Sequence, residues 1–129
     1  MGTKRAIIVV PPGVDQQSLR QTLLSGDWET TYCDSTSAAT TQLLARGGDA
    51  LVTSLSLASL SDLAPLYRAR ELNSPDALVV IATCQPTETE TLQNYLRGLT
   101  INAWLSEPYT AQALANLLPN EPASQPLNT

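Results

Sequence analysis

The chain has 129 residues, 43% of them apolar, which is room for one globular domain with its own core. Its net charge is −5, its seven Lys and Arg form no basic stripe, and no apolar run approaches the roughly 20 residues of a membrane span. These features argue against direct nucleic-acid binding and against a membrane anchor. His is absent, which removes the commonest general base and the commonest metal ligand.

The first five residues, Met1 to Arg5, carry two basic side chains, but the apolar run behind them is too short for a secretory signal. Cys33 and Cys84 make neither a disulfide framework nor a metal site, so they read as reduced thiols of a cytoplasmic protein.

Arg5 to Val10 is an apolar run that reads as a first strand. Pro11-Pro12-Gly13 then forces a loop. Asp15 caps a helix running to about Leu24, with Leu19, Leu23 and Leu24 as its apolar stripe. Trp28 to Cys33 alternates and is rich in Thr and aromatics, as a strand with one wetter face at a sheet edge would be. Ser35-Thr36-Ser37 opens a second helix, carried by Ala38, Ala39, Leu43 and Leu44 and stopped by Gly47-Gly48.

Asp49 to Ser54 holds a short apolar run bounded by polar residues and reads as a central strand buried on both faces. A loop of Leu, Ser and Ala follows, then a helix from about Ser61 to Leu72 with Pro65 in its first turn and Leu63, Leu66, Tyr67 and Ala69 facing inward. Ser74-Pro75 breaks it. Ala77 to Ala82 is a fourth strand. Thr87 to Glu90 fits a capping box for a helix that buries Leu92, Tyr95 and Leu96 and ends at Gly98. Ile101 to Leu105 is a fifth strand, Thr110 caps a last helix over Ala111 to Leu118, and the Pro-rich stretch from Pro119 to Thr129 reads as a flexible tail or a linker to a following domain.

Five strands alternating with five helices predict an α/β fold: a doubly wound, five-stranded parallel sheet, most simply in the flavodoxin-like order 2-1-3-4-5. The C-terminal strand ends of such a sheet meet at one edge, where open α/β sheets place their chemistry. Here that edge receives Val10, Pro11, Thr53, Ser54, Thr83 and Cys84, with no carboxylate at the end of the first, third or fourth strand.

From Lys4 to about Leu118 the chain resembles the receiver domain of response regulators, the CheY-like family. The likeness lies in element order and lengths, and in three stretches: Lys4 to Val10, Asp49 to Ser54, and Asn102 to Tyr109. The resemblance implies an acidic pair holding Mg²⁺ after the first strand, a phosphoacceptor Asp ending the third, a Ser or Thr after the fourth and a Lys-Pro pair after the fifth. Matched by position, Val10 and Pro11 stand for the acidic pair, Ser54 for the Asp and Glu107 for the Lys. Only Thr83 keeps its expected type, and Trp104 stands where the family has a swinging Tyr or Phe. The resemblance also implies a cis bond between Glu107 and Pro108.

Without acidic oxygens Mg²⁺ has no charged ligand, since it surrenders its waters reluctantly. Serine cannot form an acyl phosphate, and a carboxylate at position 107 repels a phosphoryl group. The pattern is that of a degenerate pseudo-receiver with no catalytic residue, metal or cofactor. It is expected to work without phosphorylation, through a protein partner or a second copy on the face from Thr87 to Leu118. Ser54 lacks an activating His or Lys, and Glu107 reads chiefly as part of a turn. Trp104 suits either an interface anchor or core filling, and the alternatives for Thr83 are a switch hydroxyl or a local hydrogen bond. Two other functions compete: a thiol enzyme or carrier using Cys84, activated by the helix start near Thr87, and a sensor with a small ligand in the emptied pocket.

Overall fold

The computed structural model describes residues 4–73 and 77–118. Five strands, β1 (Lys4–Val9), β2 (Trp28–Cys33), β3 (Ala50–Ser54), β4 (Val79–Cys84) and β5 (Ala103–Ser106), pair in parallel in the order β2-β1-β3-β4-β5. The crossovers carry α1 (Gln16–Ser25), α2 (Thr36–Arg46), α3 (Leu63–Leu72) and α4 (Thr89–Tyr95), and α5 (Ala111–Leu117) follows β5. This is the flavodoxin-like α/β arrangement that the alternation predicts.

The sheet separates two cores because successive strand residues point to opposite faces. Ile7, Leu51 and Val80 face the helices α2, α3 and α4 through Leu43, Leu66 and Leu92. Ile8, Val52 and Ile81 face α1 and α5 through Leu19 and Leu114. Covered on both sides, Ala50, Leu51 and Val52 are fully buried, as an unbroken apolar run requires. On the edge strand β2 only Trp28 is buried.

Helix starts follow side-chain capping. Asp15 accepts from the Gln17 backbone N–H, Ser35 from that of Ala38 and Thr110 from that of Ala113. Gly47 ends α2 at φ 78°, where a Cβ would be strained.

Four expectations change. The stretch Leu57–Asp62, read as a loop, is a 3-10 helix that delivers the chain to α3. The capping box at Thr87 does not form: Pro86 opens a 3-10 turn directly after β4, so α4 starts at Thr89, and Glu88 instead accepts from the Leu57 backbone N–H at 2.9 Å. That helix ends at Tyr95, short of Gly98. Leu24, Leu44, Tyr67 and Tyr95, expected inside, are exposed, because each neighbours a buried residue and a step of one residue rotates a side chain about 100° around a helix. The Ser74-Pro75 breaker and the segment from Pro119 to Thr129 lie outside the described residues. No helix among the described residues is long and apolar enough to cross a membrane.

Candidate functional site at the carboxyl edge of the sheet

The β3–β4 register sets Ser54 directly opposite Thr83. Two residues earlier on each strand stand Val52 and Ile81, which face α1 and α5, so Ser54 and Thr83 share that face by the strand's period of two. Beyond β5 the Glu107 backbone N–H donates to the Cys84 carbonyl at 2.8 Å, extending the ladder one residue past the strand. The Glu107–Pro108 bond is cis, as the resemblance implied.

This path folds the Glu107 side chain back over the strand ends. Glu107 is 8% exposed. Its Oε2 accepts from Ser54 Oγ at 2.6 Å and from Thr83 Oγ1 at 2.6 Å. Bonds this short are typical of hydroxyls donating to a carboxylate. Thr83 Oγ1 also lies 3.3 Å from the Thr53 carbonyl oxygen, and the Thr53 hydroxyl meets that of Thr36 at 2.6 Å in the buried interior. A chain of polar contacts thus runs from the start of α2 through β3 and β4 to the turn after β5.

Val10 is half-buried and Pro11 buried, so the positions matched to an acidic pair offer no oxygen ligand from their side chains. Gly13, at φ 88°, lies against Pro108, and a Cβ there would approach Pro108 Cβ to 3.3 Å. The loop after β1 is therefore folded onto the turn after β5. Beside it, a cleft of about 220 Å³ is lined by Pro11, Asp34, Ser35, Thr36, Ser54 and Ser56. Its hydroxyls have work inside the protein: Ser54 donates to Glu107, Thr36 meets Thr53, and Ser35 and Ser56 cap helical turns. A wider cleft of about 590 Å³ lies past β2, between Val14, Tyr32, Cys33 and Gln42.

The donor set does not fit Mg²⁺, which needs carboxylates arranged around near-octahedral geometry. The carboxylate facing Ser54 is already engaged by two hydroxyls, and no cluster of three or more His, Cys, Asp or Glu suited to a metal occurs among the described residues. Tyr109 is buried, and burial, then the Glu107 charge, then Tyr32, push its phenol well above the usual tyrosine range. Its hydroxyl and that of Tyr32 have no hydrogen-bond partner among the described residues.

Cys84 is buried with Sγ 3.3 Å from Thr89 Oγ1. Burial pushes its thiol upward, the Thr89 contact opposes this, and the charges of Glu107 and Glu88 add to the rise. A raised thiol has less thiolate at neutral pH, which works against Cys84 as a nucleophile. Burial, aided by Asp34, raises Cys33 as well. Trp104 is half-buried and packs against the core on the sheet face that α2, α3 and α4 cover.

The sequence brought Ser54, Thr83 and Glu107 to one edge but missed that Glu107 touches Ser54. The two are 53 positions apart, and β4 lies between their strands. Length was the available signal: Glu is long enough to span one strand and reach a hydroxyl on the next.

Neither a family model nor a curated protein matches this sequence. Solved structures match its fold closely. A CheY-like response regulator receiver domain protein from Methanospirillum hungatei JF-1 is 15% identical, with a TM-score of 0.69 over 89% of this chain and 90% of that one. An orphan response regulator of H. pylori is 19% identical, with a TM-score of 0.68 over 89% of this chain and 92% of that one. The receiver domain of a response regulator from Geobacillus stearothermophilus is 20% identical, with a TM-score of 0.67 over 89% of each chain.

Proposed function

We propose that residues 1–118 form a receiver-like regulatory domain that takes no phosphoryl group and acts by protein contact, without an enzymatic step of its own. The observation that carries this reading is the buried Glu107 carboxylate bonded to both Ser54 and Thr83. A phosphoryl group arriving at Ser54 would meet that anion at hydrogen-bond distance in a partly desolvated site. The fold shared with receiver domains supports a signalling role, and the absence of side-chain oxygen ligands at Val10 and Pro11 supports independence from Mg²⁺.

The surface offered to a protein partner or a second copy is the one from Thr87 to Leu118. Its charged residues are few, namely Glu88, Glu90, Arg97 and the buried Glu107; it exposes Tyr95 and Leu117, and Trp104 is half-buried. Sparse charge around an exposed aromatic is in keeping with the composition of interface centres. Residues 119–129 would tether an output domain, and the acidic balance of the chain turns this domain away from direct nucleic-acid contact.

The test is incubation with acetyl phosphate and Mg²⁺, read by intact mass, together with backbone NMR spectra in beryllofluoride and Mg²⁺. An unchanged mass and unchanged spectra are expected. A phosphate adduct at Ser54, or an Mg²⁺-dependent shift of β3 and β4 resonances, would overturn the reading.

A further inference from the structure

We infer that Glu107 is an anion supplied in cis: the two hydroxyls of Ser54 and Thr83 form a seat for one negatively charged oxygen, and the protein fills that seat with its own carboxylate. The geometry has three parts. The register sets Ser54 and Thr83 side by side on neighbouring strands. Both hydroxyls converge on the same atom, Glu107 Oε2, at 2.6 Å. Glu107 as a residue is more than nine-tenths buried, and the two donors to this oxygen are neutral hydroxyls.

Burying a carboxylate is costly unless hydrogen bonds offset the lost hydration. An apolar side chain would complete the same turn without that cost, as replacement of buried charges by packed apolar groups shows. The seat is therefore a feature of the strand ends, and Glu107 is its resident ligand. In the resting protein it ties the ends of β3 and β4 to the turn after β5. This rests on the reading that Ser54 takes no phosphoryl group, and adds how the site is held instead.

The chemical class the seat accepts is a small monoanionic oxyacid, and formate is the probe. Glu107→Ala removes the resident carboxylate and leaves space for one. Thermal melts of wild type, Glu107→Ala and the double variant Glu107→Ala/Thr83→Ala would be recorded in equal concentrations of sodium formate and sodium chloride. Glu107→Ala is expected to melt lower than wild type and to regain part of that loss in formate but not in chloride. Wild type, with its seat filled, and the double variant, with its seat broken, gain nothing specific to formate. Equal effects of the two salts on Glu107→Ala, or an equal formate gain in all three proteins, overturns the inference.

If Glu107→Ala does not fold, wild type decides. Its Ser54 and Thr83 hydroxyl protons should exchange slowly with water and show NOEs to the Glu107 side chain, and their absence overturns the inference. The two readings fail separately. A phosphate adduct on wild type defeats phosphorylation independence whatever formate does. Failed rescue beside inert phosphodonors defeats the seat alone.

Discussion

Ser54 and Thr83, paired across β3 and β4, donate to one and the same oxygen of Glu107. Two donors sharing one acceptor cannot be energetically independent, because either can partly satisfy the carboxylate when the other is gone. Ser54→Ala and Thr83→Ala should each cost about 1–3 kcal/mol, the range for a lost hydrogen bond to a charged group. Thr83, fully buried, belongs at the upper end, and half-buried Ser54, which water can replace, at the lower. The double variant should lose more than the sum. A urea-denaturation cycle measures this, and additivity within about 0.5 kcal/mol would mean that the hydroxyls act separately.

Gly13 tests how tightly the loop after β1 closes on the turn after β5. Its φ of 88° strains any residue with a Cβ, and that Cβ would lie 3.3 Å from Pro108 Cβ. Gly13→Ala should therefore destabilise by about 1–3 kcal/mol, the cost of one strained backbone position. Gly98 is the control, since a Cβ there meets nothing within 4 Å and its φ lies outside the strained region. Gly98→Ala should be neutral or stabilising by up to about 1 kcal/mol through the unfolded chain. Thermal melts of the pair separate loop closure from a general glycine effect.

The apolar runs made the sheet legible. Strands covered on both faces read as unbroken stretches at β1, β3 and β4, the wetter alternation of Trp28 to Cys33 marked an edge, and right-handed crossovers left little choice of order. Side-chain exposure was less legible: Leu24 and Tyr95 sit one residue from buried neighbours, and composition does not say where the edge of a helical stripe falls. The Thr87 capping box failed because Pro86 started the turn first. At the site, residue types were readable and contacts were not. That Val10 and Pro11 bring no acidic side chain to the sheet edge shows in one dimension, whereas a bond from Glu107 across β4 to Ser54 exists only once the sheet has formed.

Arg70 is held by oxygens of the main chain and one amide. Its Nε donates to the Thr100 carbonyl at 2.9 Å, Nη1 to the Leu78 carbonyl at 2.8 Å and Nη2 to Asn102 Oδ1 at 2.7 Å. Asn102 Oδ1 also accepts from the Val80 backbone N–H at 2.8 Å. The guanidinium thus fastens α3 to the strand β4 and to the segment entering β5. Lysine keeps the charge but loses the planar fork. Arg70→Lys should cost about 1–3 kcal/mol, since three acceptors lose their donor together and one of them, the Leu78 carbonyl, is buried. Asn102→Ala, which strands Val80 and part of Arg70, should approach the same loss. Urea midpoints of both variants check this, and a loss under about 0.5 kcal/mol for Arg70→Lys would reduce the cluster to a surface contact.

Alkaline pH should weaken the fold in a defined direction. Burial raises Cys84 and Cys33 above the ordinary thiol value of 9.0 and Tyr109 above the ordinary phenol value of 10.0. Above those values the unfolded chain releases protons that the folded protein retains, so the unfolded state gains relative stability. The contribution of these groups is complete below about pH 9 and is lost progressively as pH rises past 9 and then 10. Tyr109→Phe isolates the largest rise. It keeps the ring that packs with Leu19 and Leu114 and removes a hydroxyl with no described partner. At pH 7 the variant should be as stable as wild type or more so, by up to about 1 kcal/mol, because a buried unpaired polar group is gone. Between pH 9 and 11 its unfolding free energy should fall less steeply than that of wild type. Parallel pH profiles of the two proteins in urea would show that the Tyr109 hydroxyl is hydrated in solution and that burial does not hold its proton.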